Sequence, residues 1–370
     1  MIEKGRISNI QTAMLAIMSL TIMGHLIILT VVITQSRQDG WLAGIAGTIL
    51  GLIGIISLVK LSQHFPGLTL IEILFNHFSW IGKIIGILYL LYFYVMVILA
   101  VRLYAEEYKR IMVETPEWAF VAIILLLTTF IVYLGLETLA RVNQIMLPVL
   151  VIIAVAVVFL TMGENKDYTN LLPILGNGIA PVGIGSLSVM GWFGEFVILG
   201  MILPYVQRPK KLMKTGIWAA IITLVFFLGP ITGPIALFGP AEAAKMVFPT
   251  FSEVRYIQAG AVINRFDVIA VLFWTVGLMI RISLFFYGLS LGTAQAFRLT
   301  TYQPLVIPLA WFIGMGSILF AKNYEELNEF LFETYVPLNI IMGAILPLVL
   351  VIWGIIKIKK LGKPKQNVNG

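Results

Sequence analysis

The sequence predicts an all-α polytopic membrane protein, with ten transmembrane helices in two sets of five. Three observations predict it. Of 370 residues, 59% are hydrophobic and 12% charged, and the mean hydropathy is +0.98; a soluble domain is nearer half apolar and a quarter charged. Apolar stretches long enough to cross a bilayer recur along the whole chain, joined by short polar connections. Ionisable residues stand inside those stretches, Glu195 and Arg281 above all. Each such group costs on the order of 3 kcal/mol on insertion scales, so a segment that only anchored the protein would gain nothing from it.

Apolar length and polar punctuation place the spans near 10–34, 41–63, 81–108, 118–135, 139–162, 184–206, 213–238, 264–297, 303–320 and 334–358. The first run is too long for a signal-peptide core and lacks a small-residue cleavage site, so no cleavable leader is expected. In the second span, Gly44, Gly47, Gly51 and Gly54 recur at a spacing that lets another helix approach closely. The third and eighth are long enough to tilt or to project beyond the hydrocarbon. Gly229-Pro230 and Gly233-Pro234 mark the seventh as a kinked element. Residues 161–183 and 239–263 are loops with room for small surface helices, and the tail from 361 is polar. The whole chain, 1–370, reads as one membrane domain: a first repeat over 1–163, a second over 184–359, and a cytoplasmic tail over 360–370.

An odd number of spans per half makes the second half enter from the opposite side, the condition for an inverted repeat. In such folds the first helix of each half is often interrupted at the binding site. The first span carries Met23-Gly24-His25-Leu26-Ile27-Ile28-Leu29, and the sixth carries Phe193-Gly194-Glu195-Phe196-Val197-Ile198-Leu199. Both read apolar, glycine, ionisable, then an apolar run ending in Ile-Leu, and both fall near the centre of their span. Gly24, Tyr94, Glu195 and Arg281 all lie near the midplane, counted at about 1.5 Å per residue. Arg281 is the natural partner for Glu195, either as part of a ligand site or as an ion pair locking two helices. His25 reads as a proton carrier or a satisfied core histidine, and Tyr94 as a site residue or a packed aromatic.

Other chemistries find no footing. The chain has no cysteine, and its three histidines are scattered. No metal-ligand cluster, paired hydrolase carboxylates or nucleotide-binding glycine loop is present. An enzyme, a cofactor and a metal are therefore not expected. The net charge of +7 is spread around the spans rather than along a nucleic-acid face.

Several segments resemble the GerAB family of spore germination permeases, the B subunits of spore germinant receptors. They are Gln38-Asp39-Gly40-Trp41, Gly135-Leu136-Glu137-Thr138-Leu139-Ala140-Arg141, Asn170-Leu171-Leu172-Pro173, Phe193-Gly194-Glu195 and Arg265-Phe266-Asp267, in that order over about residues 6–358. The family is similar to the amino acid–polyamine–organocation superfamily. The resemblance implies a LeuT-like five-plus-five fold with broken first and sixth helices. It also implies a germinant-sensing role beside A and C subunits in the inner membrane of a spore. Carried over by position, the site for a small nutrient such as an amino acid comprises Thr21, Met23, Gly24 and His25 on one side and Gly191, Gly194 and Glu195 on the other, with Tyr94 and Arg281 nearby. The first span lacks the GxG-type break of many permeases in the superfamily. A proton- or cation-coupled amino acid permease is the alternative function, and Glu195 suits either a substrate amine or a coupled proton.

Orientation follows from Lys and Arg. With both termini in the cytoplasm, 15 of the basic residues face inward and 7 outward, the other three lying in or at the ends of spans. The 208–214 loop is then cytoplasmic. A Lys210→Cys variant, in a chain with no native cysteine, is expected to resist an impermeant thiol reagent added from outside. Strong labelling from outside overturns this orientation.

Overall fold

The computed structural model describes residues 2–161, 166–255 and 266–361. In chain order the helices are α1 (Asn9–Met23), α2 (Leu29–Ser36), α3 (Gly40–His64), α4 (Leu70–His77), α5 (Ser79–Ile111), α6 (Glu117–Leu134), α7 (Leu136–Thr161), α8 (Ile179–Gly194) and α9 (Leu212–Phe238). There follow α10 (Pro240–Ala243), α11 (Pro249–Arg255), α12 (Phe266–Ala296), α13 (Gln303–Leu319), α14 (Tyr324–Glu329), α15 (Val336–Ile340) and α16 (Leu346–Leu361). By length and composition, eight helices among the described residues can cross a membrane. Asn9–His64 counts as one of them, because Arg37–Asp39 continues it as a 3-10 turn, and Gln303–Leu319 is a shorter apolar helix. The sequence reading of ten treats Asn9–His64 as two spans and includes Gln303–Leu319.

Local chemistry sets the helix ends. Ser8 accepts a hydrogen bond from the Gln11 amide while the Gln11 side chain accepts one from Ser8 N–H, a closed capping box at the start of α1. Thr69 and Glu72 repeat the device on α4. Between α6 and α7 the chain reverses at Gly135, with φ of +97°, a conformation that favours glycine. The sixth span begins at Ile179 rather than 184. Pro181 sits in its first turn, where a missing N–H breaks no helical bond. Loop 239–263 holds the small helices α10 and α11 in its described part. Arg265, residues 162–165 with the end of the first repeat, and the tail beyond Leu361 lie outside the described residues.

The two expected breaks take a specific form. The first span continues from α1 to α2 through a π turn at Gly24–Ile28, and the sixth passes from α8 into a 3-10 segment, Glu195–Met201. A membrane offers no water to unpaired backbone groups. Widening or tightening the helix keeps most of them bonded where full unwinding would not.

Helix α3 uses its glycines as read from the sequence. A Cβ at Gly47 would lie 2.4 Å from Val189 Cβ and 2.5 Å from Ser186 O. At Gly51 it would meet Phe193 Cβ at 2.5 Å, and at Gly54 the Gly343 carbonyl at 2.3 Å. The bare backbone of α3 thus lies against α8 and the last span, and α1 packs against α7, α9 and α12. Gly47→Leu should therefore destabilise by about 1–3 kcal/mol or more and lower the amount of protein in the membrane. Gly183→Leu is the control, because nothing lies within 4 Å of a Cβ there. Immunoblots of membrane fractions check this; equal abundance of the two variants counts against the packing account.

Candidate functional site

Glu195 opens the 3-10 segment of the sixth span and Arg281 stands mid-way along α12; they are 1% and 0% exposed. The two meet in a bidentate ion pair. Arg281 Nη2 donates to Glu195 Oε1 at 2.6 Å, and Nη1 donates to Oε2. Parallel bonds of this kind are the strongest geometry an arginine and a carboxylate can make. The guanidinium also donates from Nη1 to Ser19 O of α1 at 3.3 Å and lies 4.8 Å from the Phe285 ring centroid. Tyr335 donates its hydroxyl to Glu195 Oε1 at 2.6 Å. One neutral cluster therefore joins the first, sixth, eighth and last spans.

A second polar chain supports it. Tyr92 of α5 donates to Asn339 Oδ1 at 2.5 Å, and Asn339 donates back to Tyr335 O at 2.8 Å. Tyr89 donates to Met342 O at 2.8 Å. The tyrosine that holds Glu195 is itself held by α5 through the last span. Arg281 Nε and the hydroxyls of Ser19, Thr21 and Ser283 are buried without a protein hydrogen-bond partner among the described residues.

The structure brings together Glu195 and Arg281, and puts Ser19 and Thr21 on the adjoining turn of α1. The glycines serve helix packing. A Cβ at Gly24 would lie 2.6 Å from Trp192 Cζ2, so the indole crosses the first helix there, and Trp192 Nε1 donates to Leu20 O at 3.0 Å. Gly191 faces Val336 O, and Gly194 faces Asn339 O and Gly343. These two glycines seat the last span against the sixth. Met23 is buried in the core. His25 has Nε2 3.1 Å from Phe226 O and its ring stacked on Phe273. Tyr94 is not brought to the pair: it donates to Phe312 O on α13 at 2.9 Å.

Tyr335, Tyr92, Asn339, Ser19 and Trp192 are the additions. Tyr335 and Asn339, four apart in an apolar span, are the signal that could have found them, since they share a helix face.

A cavity of about 520 Å³ lies beside this cluster. Met18, Thr21, Ile22 and His25 of the first span form its floor, α7 one wall, and Val225 to Gly233 of α9 the other. At its far end Lys166 pairs with Glu253 at 2.6 Å, both side chains nearly buried.

An all-helical chain with irregular first and sixth spans, joined by a charge cluster, has the LeuT-like fold. The solved structure of MhsT in complex with L-phenylalanine has this fold, with a TM-score of 0.68 at 11% identity, covering 95% of this chain and 99% of that one. The family model described as spore germination protein matches residues 6–325, and the chain belongs to that family. Spore germination proteins YndE and KB of Bacillus subtilis (strain 168) are each 26% identical to it. The matches cover 87% of this chain and 88% of YndE, and 90% of this chain and 91% of KB.

Removing either partner of the buried pair leaves the other uncompensated, which costs about 3–5 kcal/mol. Glu195→Ala and Arg281→Ala should each lower the unfolding temperature in detergent sharply. The double variant should lose less than the sum of the two. Strictly additive losses in that cycle are the result that contradicts the coupling.

Proposed function

We propose that this protein is the nutrient-sensing B subunit of a spore germinant receptor, and that the Glu195–Arg281–Tyr335 cluster is both its ligand site and its lock. The observation that carries the reading is a bidentate ion pair with 0% and 1% exposure, whose guanidinium keeps Nε without a partner among the described residues. A small zwitterion such as an amino acid has the matching chemistry. Its carboxylate replaces Glu195 on the guanidinium, and its ammonium replaces Arg281 on the carboxylate. Family membership supports the germination role. The setting is the inner membrane of a spore, with both termini cytoplasmic and with A and C subunits as partners.

The signal is the parting of the spans that the pair ties together. A proton- or cation-coupled amino acid permease is the second reading. It is favoured by the shared fold of MhsT, whose solved structure holds L-phenylalanine.

Deleting this chain from a sporulating strain and restoring it, with germination scored against amino acids and sugars, tests the role. Loss of response to one nutrient class, regained on restoration, supports it; an unchanged panel rejects it. Tyr335→Phe tests the lock. It removes one hydrogen bond to a charged group, worth about 1.5–3 kcal/mol, so the closed state weakens. The nutrient concentration for half-maximal germination should fall about tenfold. An unchanged or raised concentration at normal protein level contradicts the lock.

A further inference from the structure

The cavity behind α7 has a composition that does not suit a polar nutrient. Its walls are aliphatic and aromatic, and the polar side chains along its body are engaged or turned away. His25 Nε2 is on the Phe226 carbonyl. Thr232 donates back to Leu228 O at 2.8 Å. The hydroxyls of Thr21 and Thr250 are buried rather than presented to the space. Among the described residues, charge lines it only at one end, as the Lys166–Glu253 pair, with Tyr168 also in the lining.

Its length and setting are those of one membrane leaflet. Along α7 it runs from Leu147 to Phe159, about 18 Å at the helical rise, against a hydrocarbon core of roughly 30 Å. It starts at the mid-span residues Met18 and Thr21 and ends where α7 leaves the apolar region. Only 17% of the apolar window of α7 is buried, and Phe159 on that wall and Val225 on the α9 wall are exposed. The walls α7 and α9 meet thinly: among the described residues a Cβ at Gly229 would find only Val158, at 3.9 Å.

We propose that this cavity is a binding site for a phospholipid of the surrounding bilayer. One acyl chain enters between α7 and α9 and runs inward to Met18 and Thr21. The phosphate sits at Lys166, with a headgroup ammonium, where there is one, toward Glu253. A cation and an anion side by side at headgroup depth, above an apolar slot one leaflet deep, complement such a molecule. What sets a phospholipid apart from an amino acid here is the apolar slot below that pair, along which the described polar side chains are engaged or buried. The inner end of the chain abuts the turn of α1 that carries Ser19, so the occupied site braces the helix that holds Arg281.

Native mass spectrometry of the full chain, purified in mild detergent and offered phosphatidylethanolamine and phosphatidylglycerol, tests this. The wild type should retain one phospholipid per chain through washing. Gly229→Leu and, from the opposite wall, Ala154→Phe fill the slot and should each lower that retained fraction by about tenfold, with the unfolding temperature unchanged. If one variant misfolds, the other decides. Retention by the folded variants equal to wild type, no retained lipid in the wild type, or displacement of the lipid by millimolar free amino acid would each overturn the site.

Discussion

The pairing of Arg281 with Glu195 is the constraint on which the rest of the structure depends. Two ions taken out of water into hydrocarbon are tolerated only in contact and neutral together. That requirement fixes three helices at once. The sixth span must bring its carboxylate to the guanidinium, α1 must turn the Ser19 carbonyl toward it, and the last span must bring Tyr335 to Glu195 Oε1. The glycines around the pair serve this convergence. At Gly191, Gly194 and Gly343 the sixth and last spans approach more closely than any side chain allows. A buried pair adds little net stability over apolar packing, and its value here lies in the single geometry it imposes.

One irregular segment begins at Glu195 and the other follows Ser19 on the first span, and their form has consequences. A π turn holds one more residue than the α turn it replaces. Converting Gly24–Ile28 to α-helix would therefore rotate α2 by about 100° relative to α1. The same holds in the opposite sense for the 3-10 segment at Glu195–Met201, which is overwound. Both segments can change helical type by exchanging one set of helical backbone bonds for another, so rearrangement near the pair does not require polar backbone to be exposed to lipid. Trp192, lying across Gly24 and bonded to Leu20 O, ties the two segments together.

Depth was legible in the sequence, and azimuth was not. Ionisable residues in apolar runs announce themselves by their insertion cost, and two at one depth imply a pair; Glu195 and Arg281 were readable on that ground alone. Tyr94 has the right depth and the wrong face. Two positions along a helix amount to about 200° of rotation, so Tyr92 reaches Asn339 while Tyr94 turns to α13. Glycines were ambiguous for a related reason. A small residue next to a carboxylate fits a ligand or a crossing helix equally well, and the position of the last span against Gly194 could not be read from it. The α3 glycines carried more information, because four at near-helical spacing define a face where one defines only a point. Packing alone makes the α7 cavity, and a run such as Val149 to Phe159 reads as lipid-facing on every side.

Sensor and permease make different demands on the same cluster. A permease must release its substrate on the far side and close again each cycle, so a barrier from a buried ion pair slows it on every turnover. A sensor needs a threshold instead. Moving a two-state protein from about 1% to 99% active takes a ligand that prefers the active state by about 5.5 kcal/mol. That is close to the roughly 3–5 kcal/mol lost when one partner of a buried pair is stranded. A zwitterion that satisfies Arg281 and Glu195 separately offsets both desolvated charges. A cation or an anion alone satisfies only one and leaves the other exposed to the same penalty. In the function proposed here, the pair would filter for molecules carrying both charges at short separation and hold the spans together against anything else, which suits a committed, all-or-none response better than repeated transport.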